Sequence, residues 1–224
     1  MARTWRIGLF LLLAIIAVSI SSRPGFAGES FPTQPIQVVV PFAPGGATDL
    51  LARTVEKVWP KYSAQPMLVI NKPGAAGVMG TEYVVRSKPD GYTLLFGYGA
   101  GAHLIVPHLQ KLPYDTFKDL APVARLSIHS IVVCAGNKIP VNSMKDLMAW
   151  EKAGNKVTAG VSGTGGSNDI TIKAVARRAK MNITSVPFEG GAPAITALAG
   201  GHVTLGVGQP SEVMPHIVAK RFRA

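Results

Sequence analysis

The run Ile36-Gln37-Val38-Val39-Val40-Pro41-Phe42-Ala43-Pro44-Gly45-Gly46-Ala47-Thr48-Asp49 changes character twice. Ile36 to Val40 is almost all β-branched, the composition of a mostly buried strand, and Pro41 ends it. Phe42 to Ala47 is a Pro/Gly loop. A helical pattern then starts near Thr48 or Asp49 and continues through Trp59. Leu51, Val55 and Val58 recur at i, i+4 and i+7 and define one apolar face. Thr48 is the expected N-cap, Asp49 suits the positive helix start, and Pro60 stops the helix.

The same order recurs outward from this stretch. Met67 to Ile70 reads as a strand, Asn71 to Gly77 as a glycine loop, Val78 to Arg86 as a helix, and Tyr92 to Gly97 as a third strand. Strand, loop, helix, strand implies crossovers and a parallel α/β sheet. The middle is less regular. Ala102 to Gln110 reads as a short helix broken by Pro107, and Leu112 to Asp115 as a turn. Val123 to Leu126 and Ser130 to Ala135 read as strands, and Ser143-x-x-Asp146 opens a helix. Lys156 to Val161 is then a strand, Ser162-Gly163-Thr164-Gly165-Gly166-Ser167 a second glycine loop, and Asn168 to Ala179 a helix. Ile183 to Phe188 and Val203 to Gly208 are strands, separated by a helix from Pro193 to Leu198. Glu212 to Lys220 is a closing helix. The reading is two α/β lobes across a cleft, residues 28–128 and 129–224.

Residues 1–27 read as an export signal. Arg3 and Arg6 precede an apolar run from Ile7 to Ile20, and Gly25-Phe26-Ala27 is a small-x-small cleavage site. The run is shorter than the roughly 18 apolar residues of a spanning helix. The expected location is the periplasm, with cleavage after Ala27. The signal carries Arg3, Arg6 and Arg23 and no acid, so it accounts for part of the net charge of +11 over 224 residues. The remaining cations are scattered, with the densest patches at Arg177-Arg178-Lys180 and Lys220-Arg221-Arg223, so no nucleic-acid partner is expected. A chain 47% hydrophobic buries enough surface to fold.

The chemistry-bearing residues favour binding over catalysis. A glycine loop ahead of a helix exposes backbone N–H groups at the positive end of the helix dipole, which suits a carboxylate or phosphate. Thr48, Ser162, Thr164 and Ser167 add hydroxyls. There is no P-loop lysine, and the glycine spacing is not that of a dinucleotide fingerprint. Gly160-Val161-Ser162 begins like a nucleophile elbow, but Thr164 stands where the second glycine belongs, which leaves a Ser162 hydrolase as the rival reading. The five histidines form no metal pattern, and Cys134, the one cysteine, lies in an apolar strand. No cofactor or metal is expected.

Several stretches together resemble the Bug receptors, the extracytoplasmic solute-binding components of tripartite tricarboxylate transporters. Pro41 to Asp49 resembles their first ligand loop, and Asn71 to Gly77 a second signature. Lys88 to Leu95, Leu112 to Asp115, Val186 to Gly191, Gly200 to Val203 and Met214 to Ile217 continue the likeness in order. The resemblance implies a type II periplasmic binding fold closing on a small carboxylate such as a di- or tricarboxylic acid, with membrane permease subunits as partners. By position, Phe42, Ala43, Gly46, Thr48 and Asp49 would line the first-lobe side of the pocket. Ser162, Gly163, Thr164, Gly165, Gly166 and Ser167 would line the second, and Tyr98, Gly99 and Ala100 would close it. Gly208 and Gln209 replace an acidic or amide pair common in the family, which implies a plain carboxylate ligand. Family members usually continue into a segment that recrosses to the first lobe. On that comparison the first lobe is expected to be incomplete, and a truncated receptor without function is a further alternative.

Overall fold

In a computed structural model the described residues are 31–97 and 101–224. Gln34–Ala224 forms one unit holding two separate sheets. The first is built from β1 (Ile36–Val40), β2 (Met67–Asn71) and β3 (Thr93–Leu95) in the order β2-β1-β3. Both pairings are parallel, with Val38 opposite Val69 on one side and Leu94 on the other. Parallel neighbours demand crossovers, and two helices supply them. They are α1 (Ala47–Val58) and α2 (Val78–Val85). Ile36, Val38 and Met67 are buried, with Val55, Trp59 and Leu94 packed against them.

Two details of α1 differ from the sequence expectation. The helix begins at Ala47, and the N-cap is Gly46 rather than Thr48, which lies inside the first turn. Val58 is exposed, while Ala52 is fully buried. The apolar face therefore turns toward Ala47, Ala52 and Val55. Pro60 sits in a short 3-10 turn, Trp59–Lys61, that continues from the helix end.

Between the sheets, Gly101–Ile105 is a π-helical turn and Val106–His108 a 3-10 turn containing Pro107. A single turn, α3 (Thr116–Asp119), follows, capped by the Asp115 carboxylate. The strand expected at Val123 to Leu126 does not form. Residues 121–130 carry no regular secondary structure and are exposed, and no neighbouring strand among the described residues takes up their backbone groups. A β-prone sequence is a strand only where a partner completes its hydrogen bonds.

The second sheet contains β4 (Val132–Gly136), β5 (Val157–Val161), β6 (Ile183–Pro187), β7 (Leu205–Gly208) and β8 (Phe222–Arg223). Its order is β6-β5-β7-β4-β8. β5 runs parallel to β6 and β7, whereas β4 is antiparallel to β7 and β8. β8 was not anticipated, being too short to carry a period. The helices are α4 (Met144–Lys152), α5 (Ser167–Ala179), α6 (Gly191–Gly200) and α7 (Pro210–Val218). Ser143 caps α4 by accepting from the Asp146 N–H, as its spacing predicts. Ile172, Val157, Val161, Leu205 and Val207 form the core on one face. Cys134, Ile195, Leu198, Val213 and Phe222 form it on the other. Gly201 closes α6 in the left-handed conformation at φ +74.

Candidate functional site

The first and second sheets each present the same loop. Gly45 has φ +80 and Gly165 φ +75, values that favour glycine. The next glycine is the N-cap in both, Gly46 at φ −75, ψ 167 and Gly166 at φ −69, ψ 167. In the first loop the Gly45 N–H donates to Asp49 Oδ2 at 2.9 Å, and in the second the Gly165 N–H donates to Asp169 Oδ2 at 2.8 Å. One helical turn further on, a cation closes each arrangement. Arg53 Nε lies 3.0 Å from Asp49 Oδ2, and Lys173 Nζ lies 2.7 Å from Asp169 Oδ2. The repeat is Gly-Gly-x-x-Asp-x-x-x-Arg/Lys. It is visible in the sequence once the glycines are aligned.

This geometry gives the aspartates a role the spacing alone did not show. Asp49 and Asp169 are almost wholly buried. Burial pushes both carboxyls up. The Gly45 N–H, Asn71 and Arg53 outweigh it at Asp49, and Lys173 with the Gly165 N–H outweighs it at Asp169. Both carboxyls are held below the ordinary value. Each aspartate folds the loop ahead of its helix back onto itself. Asp49 Oδ1 is also engaged, accepting from Asn71 Nδ2 at 2.9 Å. Asn168, between Ser167 and Asp169, ties the start of α5 to β7 by donating to the Val207 carbonyl at 2.7 Å.

Between the sheets lies a cleft with a cavity of about 400 Å³. Of the sequence-expected residues, Phe42, Ser162, Gly163 and Thr164 line it. Gly46, Thr48, Asp49, Gly165, Gly166 and Ser167 are not among its lining residues. Ala43 also lies outside it, and its N–H donates to the Glu189 carbonyl at 3.0 Å. Tyr98, Gly99 and Ala100 lie outside the described residues. The wall also contains residues the sequence reading did not select: Gly74 to Gly77, Val106, Leu109, Gln110 and Pro187 to Glu189. The Asn71–Gly77 glycine loop was the available signal for the first of these. The two sides meet closely, since a Cβ on Gly163 would lie 2.8 Å from Ala76 Cα.

Glu189 is the charged side chain among the described lining residues, and no lysine, arginine or histidine joins it. The Gly163 N–H donates to the Val161 carbonyl and the Gly165 N–H to Asp169, so the donors this part of the described lining offers an anion are the Ser162 and Thr164 hydroxyls and their own backbone N–H groups. The lining also offers no histidine base to activate Ser162. His103 is buried elsewhere, with Nε2 3.2 Å from Thr81 Oγ1. Burial pushes the Cys134 thiol up to about 11. Among the described residues no cluster of side chains could hold a metal ion, and no helix is long and apolar enough to cross a membrane.

Two α/β sheets with matching glycine loops beside a shared cleft define a two-lobed solute-binding fold of the periplasmic type. The chain belongs to the tripartite tricarboxylate transporter receptor family, whose model matches residues 51–224. It is 31% identical to Protein BugT of Bordetella pertussis, over 97% of this chain and 66% of that protein. A solved periplasmic transporter is 35% identical with a TM-score of 0.82, over 87% of this chain and 66% of that one. MatC from Rhodopseudomonas palustris, solved with bound malate, is 30% identical with a TM-score of 0.79, over 87% of this chain and 66% of MatC. The chain thus spans just under two thirds of the length of these relatives. The family is one of receptors rather than enzymes, so the hydrolase reading of Ser162 is set aside.

Proposed function

We propose that this chain is an extracytoplasmic receptor that takes a small carboxylate into its cleft and delivers it to the permease subunits of a tripartite tricarboxylate-type transporter. The observation that carries the reading is the cleft wall at Ser162–Thr164, which places the Ser162 and Thr164 residues just ahead of the α5 start. That arrangement suits a carboxylate without needing a cationic side chain. The bound malate of MatC supports the same ligand class. Phe42 serves the first-lobe side, and closure of the two lobes buries the ligand and presents a surface to the permease. The export signal expected from residues 1–27 and the periplasmic relatives support a location outside the cytoplasm.

Calorimetry of residues 28–224 against malate and a panel of di- and tricarboxylates tests the reading. Saturable binding by at least one of them is expected. A sample that melts cooperatively and binds none of the panel overturns it.

A further inference from the structure

Helix α1 begins without a side-chain cap of its own, because its N-cap is Gly46. The Ala47 N–H is nonetheless satisfied. It donates to Glu212 Oε1 at 3.0 Å, from a residue 165 positions away on α7. Glu212 Oε2 accepts from the Gln209 N–H at 2.8 Å, so the same carboxylate caps its own helix. Helix α6 also starts without a side-chain cap, and its first residue packs on this carboxylate. A Cβ on Gly191 would lie 2.0 Å from Oε1. One on Gly46 would lie 3.3 Å from Oε1, and one on Gly208 3.1 Å from Oε2. Three glycines thus leave a space that the carboxylate fills, at the starts of three helices whose dipoles all favour negative charge.

Two of those helices belong to the second sheet and one to the first. We propose that Glu212 is a positioning residue for ligand binding, an internal carboxylate from α7 that holds the Pro41–Ala47 loop against the second lobe. It does not line the cleft. It acts through the loop, whose Phe42 does line it and whose Ala43 N–H meets the Glu189 carbonyl. The effect on ligand rests on the receptor reading above, whereas the attachment of the loop does not.

The test is a double-substitution cycle with Glu212→Ala, Gly191→Ala and both. Glu212→Ala should speed hydrogen exchange at the Ala47 amide, lower the melting temperature and weaken malate binding about tenfold or more. Gly191→Ala should do the same, because the added methyl expels the carboxylate. Added to Glu212→Ala, it should cause no further loss. Formate, compared with chloride at equal ionic strength, should restore the melting temperature of Glu212→Ala. It should not shift wild type or the double variant, whose space is filled or blocked. Wild-type exchange at Ala47 in Glu212→Ala, or fully additive effects of the two substitutions, overturns the proposal. Should wild type bind no carboxylate, the receptor reading fails alone, and exchange at Ala47 with the formate response still decides the role of Glu212.

Discussion

Substituting Gly163 by alanine places a wedge between the two sides of the cleft. Gly163 has φ +88, and its new Cβ would lie 2.8 Å from both Cα and Cβ of Ala76 and 3.1 Å from the Ala76 nitrogen. Two costs follow, and they separate. The left-handed backbone costs about 1–2 kcal/mol for a residue with a Cβ, whether or not the lobes meet. The contact with Ala76 costs about 1–3 kcal/mol, the range for overpacking, because a backbone atom cannot swing aside as a side-chain tip can. Moving the two loops apart relieves this second cost alone. A ligand that requires the closed cleft should therefore bind about 5- to 150-fold more weakly, at 1.4 kcal/mol per tenfold. Calorimetry with malate reads the affinity, and urea denaturation reads the backbone cost independently. Binding within twofold of wild type, in a variant destabilised only by the backbone cost, would refute the close approach of the two loops.

Other perturbations test the scaffold. Asp49 and Asp169 are held below the ordinary carboxyl value, so their stabilisation is complete above the unfolded pKa of about 3.9. It is lost as pH falls through the lowered native values. The double variant Asp49→Asn, Asp169→Asn should flatten the acid limb of the urea midpoint between pH 2 and 5, and an unchanged limb counts against the paired loops. Leu198→Ala should cost about 2–5 kcal/mol in urea unfolding, since its side chain is buried against the face of β4 and β7 at Gly136 and Gly206. Cys134 is fully buried with its thiol pushed up to about 11. Ellman's reagent at pH 8 should leave it unmodified in the native protein and react once guanidinium unfolds the chain.

Most elements were legible because their signals are local. The β-branched run Ile36–Val40, the double glycines at 45–46 and 165–166, and the Ser143 cap each act within a few residues, and each stands where its sequence places it. The site was legible in part for the same reason. The Ser162–Ser167 loop is a strand-to-helix turn by local pattern, and its first residues line the cleft.

Tertiary structure decided what depends on a distant partner. Val123–Leu126 has a strand composition but no strand beside it among the described residues, while Phe222–Arg223 is too short to be read and pairs with β4. Thr48 is a good cap by type, yet its position is taken by Gly46, with the cap supplied by Glu212 of α7. Asp49, which the resemblance places on the first-lobe side of the pocket, has its carboxylate engaged by the Gly45 N–H, Arg53 and Asn71. Periodicity and turn chemistry are properties of neighbouring residues, so the chain by itself determined the elements and the paired loops. Which donor or strand satisfies a backbone group is settled only when remote segments are brought together, and that assigned the cap of α1, the pairing of β4 and the wall of the cleft.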